Sequence, residues 1–313
     1  MNKELTLKNR DLNWLGKAFG DNSLISPFKL SQEEEFTAGD KKRLIDIGVI
    51  GEDNNVKADY FPMLDILSGA DGYIQVVFSR GPVMAKKTIL TKKDEKVSLI
   101  YKADEAVINM PSNPYGMVEY LKDFMGSSKL TGSDLSLDED AADVLTFAVI
   151  ADLYKREVLK AYAAEEVFVC PGFKKQDILN SVNNIRANSQ SLSYHVFVLN
   201  SGFEKFTIEK VEEILNSLIS KGLIKREEEF YMLQGDALLF AGNFLVIENI
   251  IEVIVGQVKD DKLFRSNFLL IQAGPLDVVY LEKSDNKIFL ECMSSLNAQT
   301  LLSTVLSEKP NII

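Results

Sequence analysis

The stretch Phe206–Leu233, FTIEKVEEILNSLISKGLIKREEEFYML, decides how the fold of this chain is interpreted. Its apolar residues recur at the i, i+3, i+4, i+7 spacing of a helix with one buried face. Gly222 then supplies the left-handed residue that commonly ends a helix. The charged sequence KREEE makes a turn, and Phe230–Leu233 leads away as a strand. Helix, glycine, charged turn and strand, in this order, predict a winged-helix-like segment.

The first half of the chain carries a second version of this pattern. RLIDIGVIGED at residues 43–53 matches SLISKGLIKRE at residues 217–227, since each has an apolar pair, then Gly-Val-Ile or Gly-Leu-Ile, then charge. Further along, each half has a Gly-Pro turn, a strand, a Lys-x-Asp-x-Lys turn and a second strand. This match places Gly81-Pro82 over Gly274-Pro275. Such self-similarity indicates an internal duplication.

These patterns predict an α+β fold with two pseudo-symmetric lobes from an internal duplication, winged-helix-like helix-strand segments and a central helical layer. The Ala-rich stretch Ala141–Ala164 would form that layer. The small, polar segment Gly126–Asp134 is the best linker candidate. We therefore predict an N-terminal α/β lobe at residues 1–130, and a helical segment plus a winged-helix-like C-terminal α/β lobe at residues 131–313.

The start of the long helix and one later strand are predicted from local residues. Ser136 is placed to cap the helix, and the acids at residues 138–140 suit the positive end of its dipole. Capping explains these acids better than a calcium site does, because the D-x-[DN]-x-[DN]-G spacing is missing. The alternating stretch Tyr194–Leu199 is predicted to be a strand, and it contains the single histidine, His195.

Composition and charge narrow the classes of function. The chain has 313 residues, of which 46 are acidic and 35 basic, and its formal net charge is −11. This charge has the wrong sign for a protein whose main task is to bind phosphates. The first residues, MNKELTLKNRDLNW, lack the apolar region of a signal peptide, and no uninterrupted apolar run is long enough to span a membrane. We therefore expect a cytoplasmic protein without membrane contact. Cys170 and Cys292, far apart, are expected to be small buried residues in a reducing compartment.

Residues that carry common catalytic chemistry are sparse. With His195 alone, a Ser-His-Asp triad or a multi-histidine metal site is nearly excluded, and His195 is expected to face solvent or a satisfied neighbour. No GxxxxGK[ST] and no strand-following GxGxxG occurs. We therefore predict no catalytic residue, no cofactor and no metal. An enzyme that uses only carboxylates, lysines or tyrosines stays open, and it would need a deep pocket with two converging ionisable groups.

The missing catalytic motifs and the repeated lobes favour a non-catalytic, protein-binding or chaperone-like module. Its partner would be another protein, and a homo-oligomer is a further option. The binding surface would be an exposed strand edge or loop. The candidate contact residues belong to the two Gly-Pro hairpins and to the apolar segment Leu238–Val246, and they are Gly81, Pro82, Gly274, Pro275, Phe240 and Phe244.

The alternative is an acidic winged-helix transcriptional regulator, in which the helix Thr207–Lys221 enters the major groove of DNA. Its candidate contact residues are Lys210, Asn216, Ser217, Lys225 and Arg226. The outward face of that helix carries three glutamates against one lysine, and three more glutamates follow Arg226. Because contacts to phosphates need cations, nucleic acid binding is the weaker hypothesis.

The repeated order of elements resembles that of one family. Two copies of a helix, a glycine stop and strands, joined through helices in an acidic chain of this length, are similar to the EspG-type chaperones associated with ESX, or type VII, secretion. The resemblance covers Leu44–Tyr101 and Leu215–Met293. It implies a two-lobed, pseudo-symmetric α/β fold that binds helical secretion substrates and catalyses nothing. No invariant family motif is matched, so the resemblance implies no functional residue.

Overall fold

A computed structural model of the chain describes residues 3–30, 35–102, 104–169, 172–200, 202–274 and 276–307. The first half begins with an outer strand and four helices, and it continues with a four-stranded meander and a closing helix. Its elements are β1 (Lys3–Lys8), α1 (Asn9–Phe19), α2 (Pro27–Leu30), α3 (Ala38–Asp46), α4 (Phe61–Gly69), β2 (Gly72–Arg80), β3 (Val83–Lys92), β4 (Glu95–Lys102), β5 (Glu105–Met110) and α5 (Pro114–Met125).

The second half repeats this order and adds a small sheet and further helices. It also begins with an outer strand followed by helices, and it ends with a four-stranded meander and a closing helix. Its elements are β6 (Ser136–Asp140), α6 (Ala141–Ala164), β7 (Phe173–Lys174), α7 (Lys175–Val182), α8 (Leu192–Leu199), α9 (Ile208–Ser220), β8 (Ile224–Glu227), β9 (Phe230–Leu233), α10 (Gly235–Asn243), β10 (Ile247–Lys259), β11 (Lys262–Ala273), β12 (Asp277–Ser284), β13 (Lys287–Ser294) and α11 (Ser295–Ser307).

Ten strands form one antiparallel sheet in the order β1-β5-β4-β3-β2-β10-β11-β12-β13-β6. The order is a palindrome, because each half contributes a meander and one outer strand. The first strands of the two meanders, β2 and β10, pair antiparallel at the centre, from Ser79 opposite Ile250 to Gly72 opposite Gln257. The predicted α+β fold with two similar lobes is confirmed. Its origin in an internal duplication stays a prediction.

The sheet order corrects one detail of the repeat. Because β2 and β10 are the first strands of their meanders, the β2–β3 turn at Gly81 is equivalent to the β10–β11 turn at Asp260 and Asp261. Placing Gly81-Pro82 over Gly274-Pro275 is therefore wrong by one strand. Gly81 and Gly274 have φ of +55° and +75°. A glycine of this conformation suits any tight hairpin turn, so the shared Gly-Pro pair does not identify equivalent turns.

Helices cover both faces of the sheet. Alternate residues of β2 divide between these faces, so Ile74 packs in the core beneath α5 and α11 while Tyr73 packs in the core beneath the helices of the first lobe. Helices α6 to α10 cover the second lobe around a third core. α6 is the central helix of that layer, as predicted, since it contacts α7, α8, α9 and α10.

The segment Phe206–Leu233 has the predicted winged-helix-like structure. The hydroxyl of Thr207 accepts a hydrogen bond from Lys210 N at 3.2 Å and so caps α9. Gly222, with φ +73°, lies just beyond the end of that helix. β8 and β9 form the wing hairpin, and β7 completes a three-stranded sheet in the order β7-β9-β8. Helices α6, α7 and α9 contact one another beside it.

The first lobe contains a reduced version of this segment. Thr37 caps α3 by accepting a hydrogen bond from Asp40 N at 3.3 Å, and Gly48 has φ +77°. In place of a hairpin, a single bridge joins Ile50 and Val56. The short repeated motif therefore marks a helix stop in both lobes, but the full wing forms in the second lobe.

Two local predictions about secondary structure are wrong. Residues Ser136–Asp140 form strand β6 and not the start of the long helix, because they pair with β13 and place Leu137 opposite Leu290 in the core. α6 begins only at Ala141. Tyr194–Leu199 belongs to helix α8 and not to a strand, because the first turn of this helix is capped from α6.

Three amide side chains of the second lobe form hydrogen bonds to the last residues of the first lobe. Asn249 Nδ2 and Gln272 Nε2 each donate to a carbonyl at the end of α5, those of Phe124 and Met125, at 3.1 Å. Asn249 also donates to Gln272 Oε1 at 2.7 Å, and Gln299 donates to the carbonyl of Gly126. These carbonyls have no partner within their own helix. The amides therefore satisfy them and join the two lobes.

The boundary predicted at residue 130 falls between α5 and β6, where the described chain has neither helix nor strand. The division into two domains stays a prediction, because the large sheet runs without a break through both lobes. Among the described residues, no helix is long and apolar enough to cross a membrane.

Candidate partner-binding cleft

The two predicted Gly-Pro turns lie at the same end of the large sheet, separated by β10. Gly81 and Pro82 are exposed at the tip of the β2–β3 hairpin, and Met84 beside them is 73% exposed. Gly274 is half-buried, and a Cβ there would lie 3.4 Å from the carbonyl oxygen of Asn243. Pro275 lies outside the described residues. A role for these turns in partner binding stays a prediction.

The two phenylalanines of the predicted surface are not exposed. Phe240 is 0% and Phe244 3% exposed, because α10 turns both side chains into the core of the second lobe. The expectation that they lie on the surface is therefore wrong. Their segment reads as uniformly apolar, but it is a short helix packed on α6. Phe244 reaches the cleft described below only indirectly, since the ammonium of Lys155 lies 5.7 Å from its ring centroid.

The residues assigned to DNA under the alternative are largely engaged with acids or carbonyls of this chain. Asn216 is exposed on α9. The other four have partners in the structure: Lys210 with Glu213 at 3.6 Å, Ser217 with Asp143 at 2.7 Å, Lys225 with Glu227 at 2.5 Å, and Arg226 Nε with the carbonyl of Glu228 at 2.9 Å. A DNA phosphate would have to compete with these contacts. Nothing in this arrangement supports the DNA-binding alternative.

A large cleft lies between α6, α7 and the start of α8. Its volume is about 860 Å³, and we call it the α6–α7 cleft. One wall is formed by α6 between Val149 and Ala163, and the other by the chain between Asn180 and Ser193. Val149 and Leu153 form an apolar floor, and both are almost fully buried. A concave site with an apolar floor and a polar rim is the usual form of a binding site.

α6 exposes apolar side chains because it is longer than the core beneath it. The buried residues of this helix end at Val158. Beyond that point Leu159 is 40% exposed and Tyr162 is 65% exposed. Two valines that follow the helix, Val167 and Val169, are also exposed. Leu159 also lines the cleft, and exposed apolar side chains at a cleft are typical of a protein-interaction site.

Asp152 fixes the opposite wall. Its carboxylate accepts hydrogen bonds from the hydroxyls of Ser191 at 2.5 Å and Ser193 at 2.7 Å. It also accepts from the backbone N–H groups of Leu192 at 3.0 Å and Ser193 at 2.9 Å. The first turn of α8 has no cap from its own sequence. An acid on α6 thus supplies the cap and holds the two helices together.

Lys155 and Gln190 anchor the loop that precedes α8. Lys155 Nζ donates to the carbonyl of Gln190 at 2.5 Å, and burial lowers the pKa of this lysine. The Gln190 side chain pairs with the backbone of Ile247 at the start of β10, donating to its carbonyl at 2.8 Å and accepting from its N–H at 2.9 Å. The cleft wall is therefore tied to the large sheet.

His195 packs behind the cleft on α8. It is buried, its Nε2 lies 3.0 Å from the carbonyl of Ser189, and burial lowers its pKa. The histidine thus has a satisfied neighbour, but on a helix rather than on a strand. In the described part of the chain, no group of three or more His, Cys, Asp or Glu side chains is placed to hold a metal ion.

Sequence reasoning missed the cleft. Asp152 and Lys155 were one available signal, because they are charged residues three positions apart in the middle of α6 and so lie on one face of the helix. Their partners at residues 189–193 are distant in sequence. No local pattern indicates that contact.

The fold of this chain, a two-lobed antiparallel sheet flanked by helices, is similar to that of a solved type VII secretion chaperone. The chain is similar to the chaperone EspG5 of Mycobacterium tuberculosis, whose structure was solved in complex with the PE25–PPE41 dimer. The TM-score is 0.51 at 11% sequence identity, over 98% of this chain and 97% of that chain. The resemblance drawn from the order of elements is confirmed for the fold. No family model and no curated protein matches the sequence.

Proposed function

We propose that this chain is a non-catalytic, chaperone-like protein that binds a helical secretion substrate in the α6–α7 cleft, and that it does so in the cytoplasm. The observation that carries the proposal is the exposed apolar end of α6 at a preformed cleft: Leu159 lines the cleft and is 40% exposed, and Tyr162, three residues further along the helix, is 65% exposed. The fold adds support, since EspG5 was solved with a protein dimer bound.

The structure of the cleft suits the capture of a helix. Its apolar floor can accept one face of an amphipathic helix, which is a common mode of peptide recognition. Its walls are held by the Asp152 cap and the Gln190 anchor, so little ordering is required on binding. A preorganised site retains more of its interaction free energy as affinity.

Site-specific crosslinking tests this proposal. A photo-reactive amino acid at Tyr162 should crosslink to a helical secretion substrate that is co-expressed with the chain. The matched control is the same amino acid at Phe264, an exposed aromatic residue at the start of β11. Crosslinking from both positions, or from Phe264 alone, would contradict the proposed site.

Truncation of the exposed side chains gives an independent measure. In the double variant Leu159→Ala and Tyr162→Ala, we expect the Kd for that substrate to rise roughly 5- to 30-fold, which corresponds to about 1–2 kcal/mol of lost apolar contact. Both residues are exposed, so the fold should persist. An unchanged Kd in a correctly folded variant would refute the assignment.

A further inference from the structure

The α6–α7 cleft differs in charge from the chain that carries it. The chain as a whole has 46 acidic and 35 basic residues. The cleft is lined by four cationic side chains and one carboxylate, those of Lys155, Arg156, Lys160, Arg186 and Asp152. The local charge is therefore opposite in sign to the net charge of −11. A charge bias of this kind selects between partners and steers their approach.

The single carboxylate does little to offset these cations. Both oxygens of Asp152 accept hydrogen bonds from the first turn of α8, one from Leu192 N and the other from Ser191 and Ser193. They point into the α8 cap. A partner in the cleft would therefore meet the cations of the rim more directly than this acid.

The cations differ in their availability. Lys155 is buried and its ammonium is held by the Gln190 carbonyl. Arg156 and Lys160 share one acid, Glu157, at 3.1 and 2.9 Å. Arg186 is exposed and has no ion-pair partner within the described ranges. The rim thus offers one unpaired guanidinium and two cations that share a single charge, and each can take a further carboxylate.

We infer that the α6–α7 cleft selects an acidic amphipathic helix of its protein partner, with the apolar face of that helix on the floor and its carboxylates at the Arg186 and Lys160 rim. This inference rests on the proposed function and adds the charge of the partner. The apolar floor of Val149 and Leu153 favours a protein helix over a nucleic acid, since the latter would need a surface dominated by cations and stacking platforms.

Two labelled peptides of about 20 residues test the inference. They share one apolar helical face, and they differ only in bearing Glu or Lys on the other. Fluorescence anisotropy gives the Kd of each for the full chain. We expect the acidic peptide to bind roughly 3- to 20-fold more tightly, since two exposed ion pairs contribute about that factor together. The net negative charge of the whole chain would attract the basic peptide. A preference for the acidic peptide can therefore arise only from the cations of the α6–α7 cleft.

Charge-reversal variants of the cleft form the second part of this experiment, in which the Kd of both peptides is measured again. Lys160→Glu with Arg186→Glu should abolish or invert the preference, and Lys160→Gln with Arg186→Gln should reduce it. The matched control, Lys102→Glu with Lys262→Glu, changes the net charge equally at exposed sites on β4 and β11, and should leave the preference unchanged. Far-ultraviolet circular dichroism checks that each variant is folded.

Each other outcome overturns the inference. Equal binding of the two peptides, or tighter binding of the basic one, shows that the cleft does not select an acidic helix, and it leaves binding at the cleft itself intact. A single-stranded oligonucleotide that displaces the acidic peptide at lower concentration would indicate a nucleic acid site. Failure of the acidic peptide to bind also refutes the inference, while the crosslinking at Tyr162 tests the proposed function separately.

Discussion

Replacing Asp152 by alanine should loosen the first turn of α8 and with it one wall of the α6–α7 cleft. The variant removes an acceptor of four hydrogen bonds, two from backbone N–H groups and two from serine hydroxyls. Loss of a helix cap costs about 0.5–2 kcal/mol. The Ser191 and Ser193 hydroxyls can still pair with each other, but the backbone N–H of the buried Leu192 loses its acceptor, and a buried donor left unpaired adds about 1–3 kcal/mol. We therefore expect a total of about 2–4 kcal/mol.

Hydrogen exchange measures this local effect directly. A loss of about 2–4 kcal/mol should accelerate exchange of the α8 amides roughly 30- to 1000-fold where local opening controls exchange. The amides of α11, on the opposite face of the sheet, provide the internal reference. Asp152→Asn is the matched control, because its single amide oxygen keeps part of the accepting capacity. It should cost about half as much as Asp152→Ala.

One result would refute this reasoning. If the α8 amides of Asp152→Ala exchanged within about threefold of the unsubstituted chain, the difference would be below about 0.7 kcal/mol. The four hydrogen bonds would then make no appreciable contribution to the capping of α8. Asp152 would then contribute only its charge to the α6–α7 cleft.

Three further substitutions test other parts of the structure. Asn249→Leu removes an amide that links the lobes and leaves both the Phe124 carbonyl and the buried Gln272 amide oxygen without this donor, so urea denaturation should show about 2–4 kcal/mol of lost stability. Gly256→Ala places a methyl group against the Tyr73 ring across the β2–β10 pair and should cost about 1–3 kcal/mol, less in a Tyr73→Ala background. Burial raises the pKa of the Cys292 thiol to about 12, against 9.0 for the free group. The unfolded chain then loses this proton first, so from about pH 9 to 12 the thiol lowers the free energy of unfolding by about 1.4 kcal/mol per pH unit, a slope that Cys292→Ala should remove.

Each of these results has a contrary outcome. Asn249→Asp keeps the shape of the side chain but no amide donor, and stability equal to that of the unsubstituted chain would show that the hydrogen bonds donated by Asn249 contribute nothing. Additive effects at Gly256 and Tyr73 would argue against the steric account. Identical pH slopes for Cys292→Ala and the unsubstituted chain above about pH 9 would show that the thiol ionises equally in both states.

Local chemistry explains why much of the second lobe was predictable. The helix α9 has its own cap at Thr207 and its own stop at Gly222, so its bounds follow from neighbouring residues alone. The prediction of a strand at Tyr194–Leu199 was wrong, because the cap of α8 comes from Asp152 on the distant helix α6. The run Tyr194–Leu199 is rich in β-branched and aromatic residues, and it is helical because Asp152 holds its first turn.

The candidate site was beyond local reasoning for a similar reason. Phe240 and Phe244 are apolar residues that could lie on a surface or in a core, and only the packing of α10 on α6 decides between these. The cations of the α6–α7 cleft come from two separate stretches of chain. Charge counted along the sequence cannot show that they meet.

The amino-acid sequence by itself determined the glycine stops and the winged-helix-like segment, because these depend on contacts within a few residues. The repeated order of its elements also indicated the two-lobed α+β fold. Only the tertiary structure decided the pairing of β2 with β10, the strand that residues 136–140 form, and the exposed end of α6 at the α6–α7 cleft. These depend on which apolar faces can be buried together across the whole chain, and that choice is made by summed burial rather than by any local preference.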